Sequence, residues 1–266
     1  MEAYYEDDTV QLYLGDMREI LPALDVTADL IVADPPYEET SHQWDRWPEG
    51  WLDAAAPVAR SMWCFGGLRM FMRYASEFTA AGWHLSHDTI GKDDPDDVDV
   101  IWEKHNASGP NNDRFRRVHE QAGLFYQGAW RDVYRQPQRI TTGVIERGRV
   151  IGRTSLGHRG DYAPNGWTDN GTRLMTSVIK ARSMHRNGGI HPTEKPVPLL
   201  LPLIKYGCPP GGLVVDPFGG SCSTLLAARE AGVQAIAVEG HEPHAEAAAE
   251  RLREPYMVDL FGGGAA

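Results

Sequence analysis

Residues 212–240, GLVVDPFGGSCSTLLAAREAGVQAIAVEG, restrict the fold more than any other stretch of the chain. An apolar run ends at Asp216, a glycine-rich turn follows, and a helical run reaches Ala231, with Gly232 placed as its C-terminal cap. A second apolar run, from Gln234, then ends at Glu239. Strand, helix and strand in this order form a βαβ unit. Gly219 and Gly220 can take positive φ, and the helix offers free N–H groups at its start. Glu239 stands 19 positions after Gly220, the interval at which a dinucleotide fold places the acid that holds ribose hydroxyls. The stretch lacks a true G-x-G-x-x-G. Asp216 and Phe218 bring a carboxylate and a ring where a pyrophosphate wants neither, so the unit suits a cationic or uncharged nucleoside better than NAD. A purely structural glycine turn is the alternative at this point.

The rest of the chain continues the alternation. Strand-like runs cover 10–15, 28–34, 60–66, 83–90, 98–104, 123–128, 212–216 and 234–240. Helix-like runs cover 17–24, 68–80, 196–206, 222–231 and 242–253, with Gly207 as a second cap. The fold class is α/β, a doubly wound, mostly parallel sheet. The rhythm fails between about Ala129 and Asn187, where the chain is polar and rich in Gly and Arg. This gives one domain in two parts, 1–128 and 188–266, around an inserted recognition region, 129–187. At 266 residues, a single α/β domain with an insertion is the expected size. The N-terminus has no signal-peptide pattern, and no apolar run approaches the roughly 18 residues of a membrane span. The expectation is a soluble, cytoplasmic protein without a membrane partner. Cys64, Cys208 and Cys222 are odd in number, scattered and without ligand spacing, so neither a disulfide framework nor a metal site is expected.

Charge is strongly polarised. The net charge is −11, yet residues 103–186 hold 15 Lys and Arg against 7 Asp and Glu, a local +8 that leaves −19 for the remainder. An arginine-dominated middle suits a face presented to phosphates, and Arg131, Arg135, Arg139, Arg153 and Arg182 are its candidate contacts. A merely Arg-rich soluble segment is the competing reading.

Two further stretches carry chemistry. In DLIVADPPYEET, residues 29–40, a run buried on both faces ends in Asp34-Pro35-Pro36-Tyr37. Two prolines cannot continue a sheet ladder, and each biases the residue before it toward extended backbone. A carboxylate, the proline carbonyls and a ring are thus held stiffly at a strand's C-terminal end, where open α/β sheets bind ligands. In HPTEKPVPLLLPLIKYG, residues 191–207, Pro196 suits the first helical position. Lys195 and the free helix N–H groups would form an anion site for one carboxylate.

In this order the pieces resemble the amino-methylating DNA methyltransferases of the permuted β group, whose catalytic motif precedes the target-recognition region and whose cofactor motifs come last. ADPPY is similar to the catalytic motif, IHPTEKP to the motif that contacts the methionine part of the cofactor, and VVDPFGGSCST to the cofactor glycine loop. AVEGHEPHAEAAAERL resembles the acidic loop and its helix, IWEKHN and DRFRRVHE the late catalytic motifs, and LYLGDM the first strand. The family commonly has Gly at the position of Cys222, and a small acid or Asn at that of His241. The resemblance implies a Rossmann-like S-adenosylmethionine-dependent methyltransferase fold. Its cofactor residues are Asp16, Lys195, Asp216, Phe218, Gly219, Gly220, Ser221, Ser223, Thr224 and Glu239, with Asp34, Pro35, Pro36 and Tyr37 catalytic.

The implied reaction is methyl transfer to an exocyclic amine of a flipped base in double-stranded DNA, with Asp34 and the Pro35 carbonyl accepting the two amine hydrogens and Tyr37 stacking on the base. Asp at the first motif position points to adenine N6, with cytosine N4 as the alternative. Amide methyltransferases face the same nitrogen chemistry but carry Asn before the prolines and place the cofactor loop first. A relative that binds DNA without catalysis would have no reason to keep Asp34, Lys195, Asp216 and Glu239. The family admits a homodimer and a restriction endonuclease as further partners.

Overall fold

Alternate residues of each central strand face opposite layers, as the period of two dictates. Leu30 and Val32 pack with Trp63 and Phe65 on one side, and Ile31 and Ala33 with Met62 and Cys64 on the other. The computed structural model describes residues 1–38, 45–86, 98–108, 113, 115–141, 171–182 and 194–254. They belong to two compact units, one of residues 1–136 and 177–266 and one of residues 137–176.

The first unit is a wide mixed sheet between two helical layers. In chain order its elements are β1 (Tyr5–Glu6), β2 (Val10–Leu14), α1 (Met17–Leu24), β3 (Leu30–Ala33), α2 (Trp51–Ala55), β4 (Ser61–Gly66), α3 (Leu68–Ala80), β5 (His84–Leu85), β6 (Asp99–Ser108) and β7 (Arg117–Tyr126). After the second unit's hairpin, β8 (Arg139–Thr141) with β9 (Thr172–Leu174), come β10 (Val178–Ala181), α4 (Val197–Gly207), β11 (Leu213–Asp216), α5 (Ser223–Ala231), β12 (Gln234–Glu239) and α6 (Glu242–Arg253). The strand order is β1-β2-β12-β11-β3-β4-β7-β6-β10, with β5 on β7. Strands β2 through β4 in that order run parallel, so the α/β class and the parallel core agree with expectation. Strand β7 runs antiparallel to both β4 and β6.

Helices α4, α5 and α6 bury Leu199, Leu200, Leu225 and Ala248 on one face of the sheet, and α1, α2 and α3 bury Leu21, Trp51 and Phe78 on the other. Each fully buried large apolar side chain contributes about 1.5–3 kcal/mol relative to exposure, so the sheet is fixed from both sides. The ends follow local chemistry. Asp16 caps α1 by accepting the Arg18 N–H at 2.9 Å, and Gly232, at φ 73°, closes α5 onto the carbonyls of Ala228 and Arg229.

Gly207 is a correction: it is the last residue of α4 and no left-handed cap. A Cβ there would lie 2.9 Å from Leu30 Cδ1, so its small size serves packing. Pro196 likewise sits one position earlier than expected, as the N-cap of α4. Of the run 83–90, only His84–Leu85 forms strand and 87–90 lie outside the described residues. Strand β10, within the segment whose rhythm fails, pairs parallel with β6 and extends the main sheet. No helix among the described residues is long and apolar enough to cross a membrane.

Candidate active site

Parallel registers bring the two signature loops together. Val214 pairs with Leu30 and Val215 with Ile31, so β11 and β3 end side by side, with Asp216 closing one and Asp34 following the other. Asp216 pairs with Ala237 across β11 and β12, which sets Glu239 two residues further along. A cleft of about 720 Å³ opens at this edge, lined by Asp16, Asp34 to Tyr37, Lys195, Asp216 to Ser221, Ser223, Thr224 and Glu239. All fourteen expected catalytic and cofactor residues border one cavity.

The glycine loop and the acidic strand end are tied directly. Gly220 N donates to Glu239 Oε2 at 2.6 Å, and His241 N donates to Glu239 Oε1 at 2.8 Å. Gly220 takes φ 52°. Gly219 N donates to Val238 O at 2.7 Å, and a Cβ on Gly219 would lie 3.3 Å from that carbonyl, so glycine lets the loop lie against β12. Asp216 Oδ1 accepts the Phe218 N–H at 2.9 Å. Burial pushes the Asp216 carboxyl up to about 7, against the opposing bonds from Thr224 and the Phe218 N–H. The Phe218 ring meets Trp51 edge-on at 5.2 Å.

Sequence reasoning missed Glu194 and Arg251. Glu194 accepts from Ser223 Oγ at 3.1 Å and pairs with Arg251 at 2.8 Å, while Arg251 also donates to Ser221 O at 3.0 Å. Together they fasten the start of α5 to the loop before α4. Glu194 was legible only as part of HPTEKP, and nothing marked Arg251 except helical spacing. Cys222 stands between the two serines at φ 56° with its side chain buried, which is why glycine suits this place.

At the proline motif, Asp45 Oδ1 accepts the N–H groups of Tyr37 at 3.0 Å and Glu38 at 2.9 Å. Glu38, at φ 61°, accepts from the Tyr74 hydroxyl at 3.1 Å and pairs with Arg73 at 2.7 Å. Lys195 does not stand free before α4. Its Nζ lies 2.5 Å from Asp34 Oδ2 and 3.4 Å from Glu120 Oε2, and Lys104 pairs with Glu120 Oε1. Burial works to lower the Lys195 pKa, but Asp34 and Glu120 beside it raise it overall. Burial raises the Asp34 carboxyl and Lys195 opposes it. Asp34 Oδ1 is buried and accepts no hydrogen bond within the described residues. Asp16 accepts from Arg18, whose guanidinium holds its carboxyl below the usual range.

Residues 28–250 match the family model for DNA methylases of the N6/N4 type. The chain belongs to this family. The methylase is 24% identical to the type II methyltransferase M.ScaI of Streptomyces caespitosus over 97% of this chain and 86% of that one. A 62-residue segment, 23% of this chain and 27% of the other, is 47% identical to YubD of Escherichia coli K12. Among solved structures, M1.HpyAVI in complex with S-adenosylmethionine aligns with a TM-score of 0.59 at 20% identity over 91% of this chain and 99% of that one. The cytosine-N4-specific PvuII DNA methyltransferase aligns with a TM-score of 0.62 at 15% identity over 97% and 91%. The methyltransferase fold inferred from the sequence is therefore the fold of the methylase, and S-adenosylmethionine is the methyl donor of its family. Among the described residues no cluster could hold a metal.

The candidate DNA contacts belong to different elements. Arg131 is exposed in a turn after β7, and Arg135 stacks 4.8 Å over Trp130 while donating to its carbonyl at 3.1 Å. Arg139, in the hairpin, donates to Thr172 Oγ1 at 2.8 Å, and Arg182 is exposed just past β10. Arg153 lies outside the described residues. Lys104 and Glu120, counted within the basic segment, face the cleft instead; they cancel, so the excess of +8 stands.

Proposed function

We propose that the methylase transfers a methyl group from S-adenosylmethionine to the N6 amine of an adenine flipped out of duplex DNA. Asp34 Oδ1 carries the reading: a buried acceptor without a donor among the described residues, bordering the same cleft as the glycine loop. Leaving such an atom unsatisfied costs about 1–3 kcal/mol, and a substrate amine would supply the missing donor. The amine is a poor nucleophile because its lone pair is delocalised into the ring. Accepting its two hydrogens at Asp34 and the Pro35 carbonyl favours the tetrahedral nitrogen, and the double proline fixes both acceptors beforehand. Tyr37 would stack on the flipped base, since a paired amine is out of reach in the duplex.

The cleft fits the cofactor, which when bound supplies an electrophilic sulfonium methyl. Glu239 would hold the ribose hydroxyls, while Asp216, Phe218 and the loop from Gly219 to Thr224 would line the rest of its site with Asp16. Asp216 and Glu239 suit a cationic ligand better than a pyrophosphate. The segment 129–187, with Arg131, Arg135, Arg139, Arg153 and Arg182, would grip phosphates and recognise the site.

Adenine is preferred because Asp, not Ser, opens the tetrapeptide. Nucleoside mass spectrometry after incubation with duplex DNA and cofactor tests this. N6-methyladenine is expected, and N4-methylcytosine alone would reassign the base. Asp34→Ala should keep cofactor affinity and lose turnover; robust methylation by that variant would overturn the role given to Asp34.

A further inference from the structure

Asp34, Lys195, Glu120 and Lys104 form a row of alternating charge that lines the cleft, and the reaction described so far uses only the first. The topology brings them there. Strand β7 enters antiparallel, so its early residue Glu120 lies opposite Trp102 of β6, near the edge where β3 ends. The Lys195 and Glu120 side chains are 6% and 11% exposed. Glu120 Oε2 is buried and accepts no well-formed hydrogen bond among the described residues, and it faces the Lys195 charge at 3.4 Å. Buried ion pairs seldom add stability, because desolvation offsets the attraction. Four such charges in a cleft point to function.

We propose that Lys195 and Glu120 are positioning residues that set, from opposite sides, how strongly Asp34 holds the substrate amine. Lys195 fixes Oδ2 and thereby turns Oδ1 to the amine. Glu120 shares the Lys195 charge, so Asp34 retains more of its negative charge for the hydrogen that the amine presents. This rests on Asp34 being the amine acceptor.

The groups facing Asp34 are Lys195 before α4, Glu120 on β7, Lys104 on β6, Asp216 at the end of β11, Cys64 on β4 and Tyr37 of its own loop. Burial raises the Cys64 thiol far out of the neutral range. Burial works to raise Glu120, but Lys195 and Lys104 outweigh it and keep it ionised. On Asp34, after burial, Lys195 acts downward, Glu120 upward and Lys104 downward. The two positioning residues therefore have effects of opposite sign.

The experiment is the single-turnover rate of methyl transfer to duplex DNA at saturating cofactor, followed against pH. Glu120→Gln should move the acid limb to lower pH and reduce the plateau several-fold, since the acceptor is weaker. Lys195→Gln should move the limb to higher pH, Lys104→Gln should do so less, and the double variant of Glu120 and Lys195 should return toward wild type. Asp216 also titrates near neutrality, but its limb would not move oppositely in the two variants. Limbs that stay in place, or move the same way in folded proteins with wild-type cofactor affinity, overturn the proposal. If Lys195→Gln does not fold, Lys104→Gln against Glu120→Gln decides. Turnover by Asp34→Ala would overturn the underlying reading, whereas an inactive Asp34→Ala with immovable limbs overturns this proposal alone.

Discussion

Gly220 and Glu239 share a 2.6 Å hydrogen bond from the backbone N–H of one to the carboxylate of the other. The bond makes the glycine loop and the end of β12 one structural piece. The acid is already oriented by two backbone N–H groups, from Gly220 and His241, and in the proposed cofactor role its remaining lone pairs would be offered to ribose hydroxyls.

Glu239→Ala should therefore weaken S-adenosylmethionine binding by tenfold or more, because charge-assisted hydrogen bonds contribute roughly 1.5–3 kcal/mol each. It should also loosen the loop, lowering the unfolding midpoint. Glu239→Gln, which can still accept, should lose less of both. Calorimetric titration and thermal unfolding of the same preparations check this, and unchanged affinity in folded Glu239→Ala would remove the residue from the cofactor site.

Asp216 gives a pH dependence of defined sign. Its folded-state pKa, about 7, lies above the ordinary 3.8, so the folded state holds this proton more tightly than the unfolded chain. The stability it contributes is complete below about pH 4 and is lost as pH rises through about 7. Asp216→Asn should abolish that slope, gaining up to about 4 kcal/mol relative to wild type across the interval. A cationic cofactor should draw the proton off, so wild-type affinity should tighten as pH rises through 7 and the Asn variant should not follow. Urea unfolding and titrations at several pH values read both effects.

Cys222 occupies a left-handed conformation at φ 56°, ψ 30° with a fully buried side chain. That backbone costs an L-residue about 1 kcal/mol. Cys222→Gly relieves the strain but loses buried contacts and adds freedom to the unfolded chain, so its stability should stay within about 1 kcal/mol of wild type. Cys222→Val should cost more than about 2 kcal/mol, since a β-branched residue resists this region. Urea midpoints decide. Burial also raises the thiol well above its ordinary value, so a thiol reagent should reach it only on unfolding.

The layers were legible because they rest on local periodicity. Helices 17–24, 68–80 and 242–253 and the strands around Val32, Val215 and Val238 follow from it, and the loops after β3 and β11 from proline and glycine. What could not be read was lateral. Pairing of β7 against both β4 and β6 decides that Glu120 reaches Lys195, the partner of Asp34, and no period in the sequence encodes that register. Lys195 was visible as a cation before a helix, but its partner lies 161 positions away. Gly207 looked like a cap because glycine after a helix usually is one; only the proximity of Leu30 shows otherwise.

Asp45 is the residue whose loss should separate catalysis from binding most cleanly. It is buried, and one of its oxygens accepts the N–H groups of both Tyr37 and Glu38. Those bonds hold the backbone directly after the two prolines, including the left-handed turn at Glu38. Asp45→Ala should leave Asp34, the glycine loop and cofactor affinity nearly as they are, because its hydrogen bonds to the Tyr37 and Glu38 N–H groups act on the backbone after the prolines. The Tyr37 ring, by contrast, should lose the place over the base proposed for it, and misplacement by about 1 Å can cost on the order of a hundredfold in rate. Asp45→Asn should be milder, since its amide oxygen still accepts. The expected result is a single-turnover rate reduced at least tenfold with a cofactor Kd within twofold of wild type. Equal losses in rate and in cofactor affinity would mean that Asp45 supports the whole cleft and not the catalytic loop.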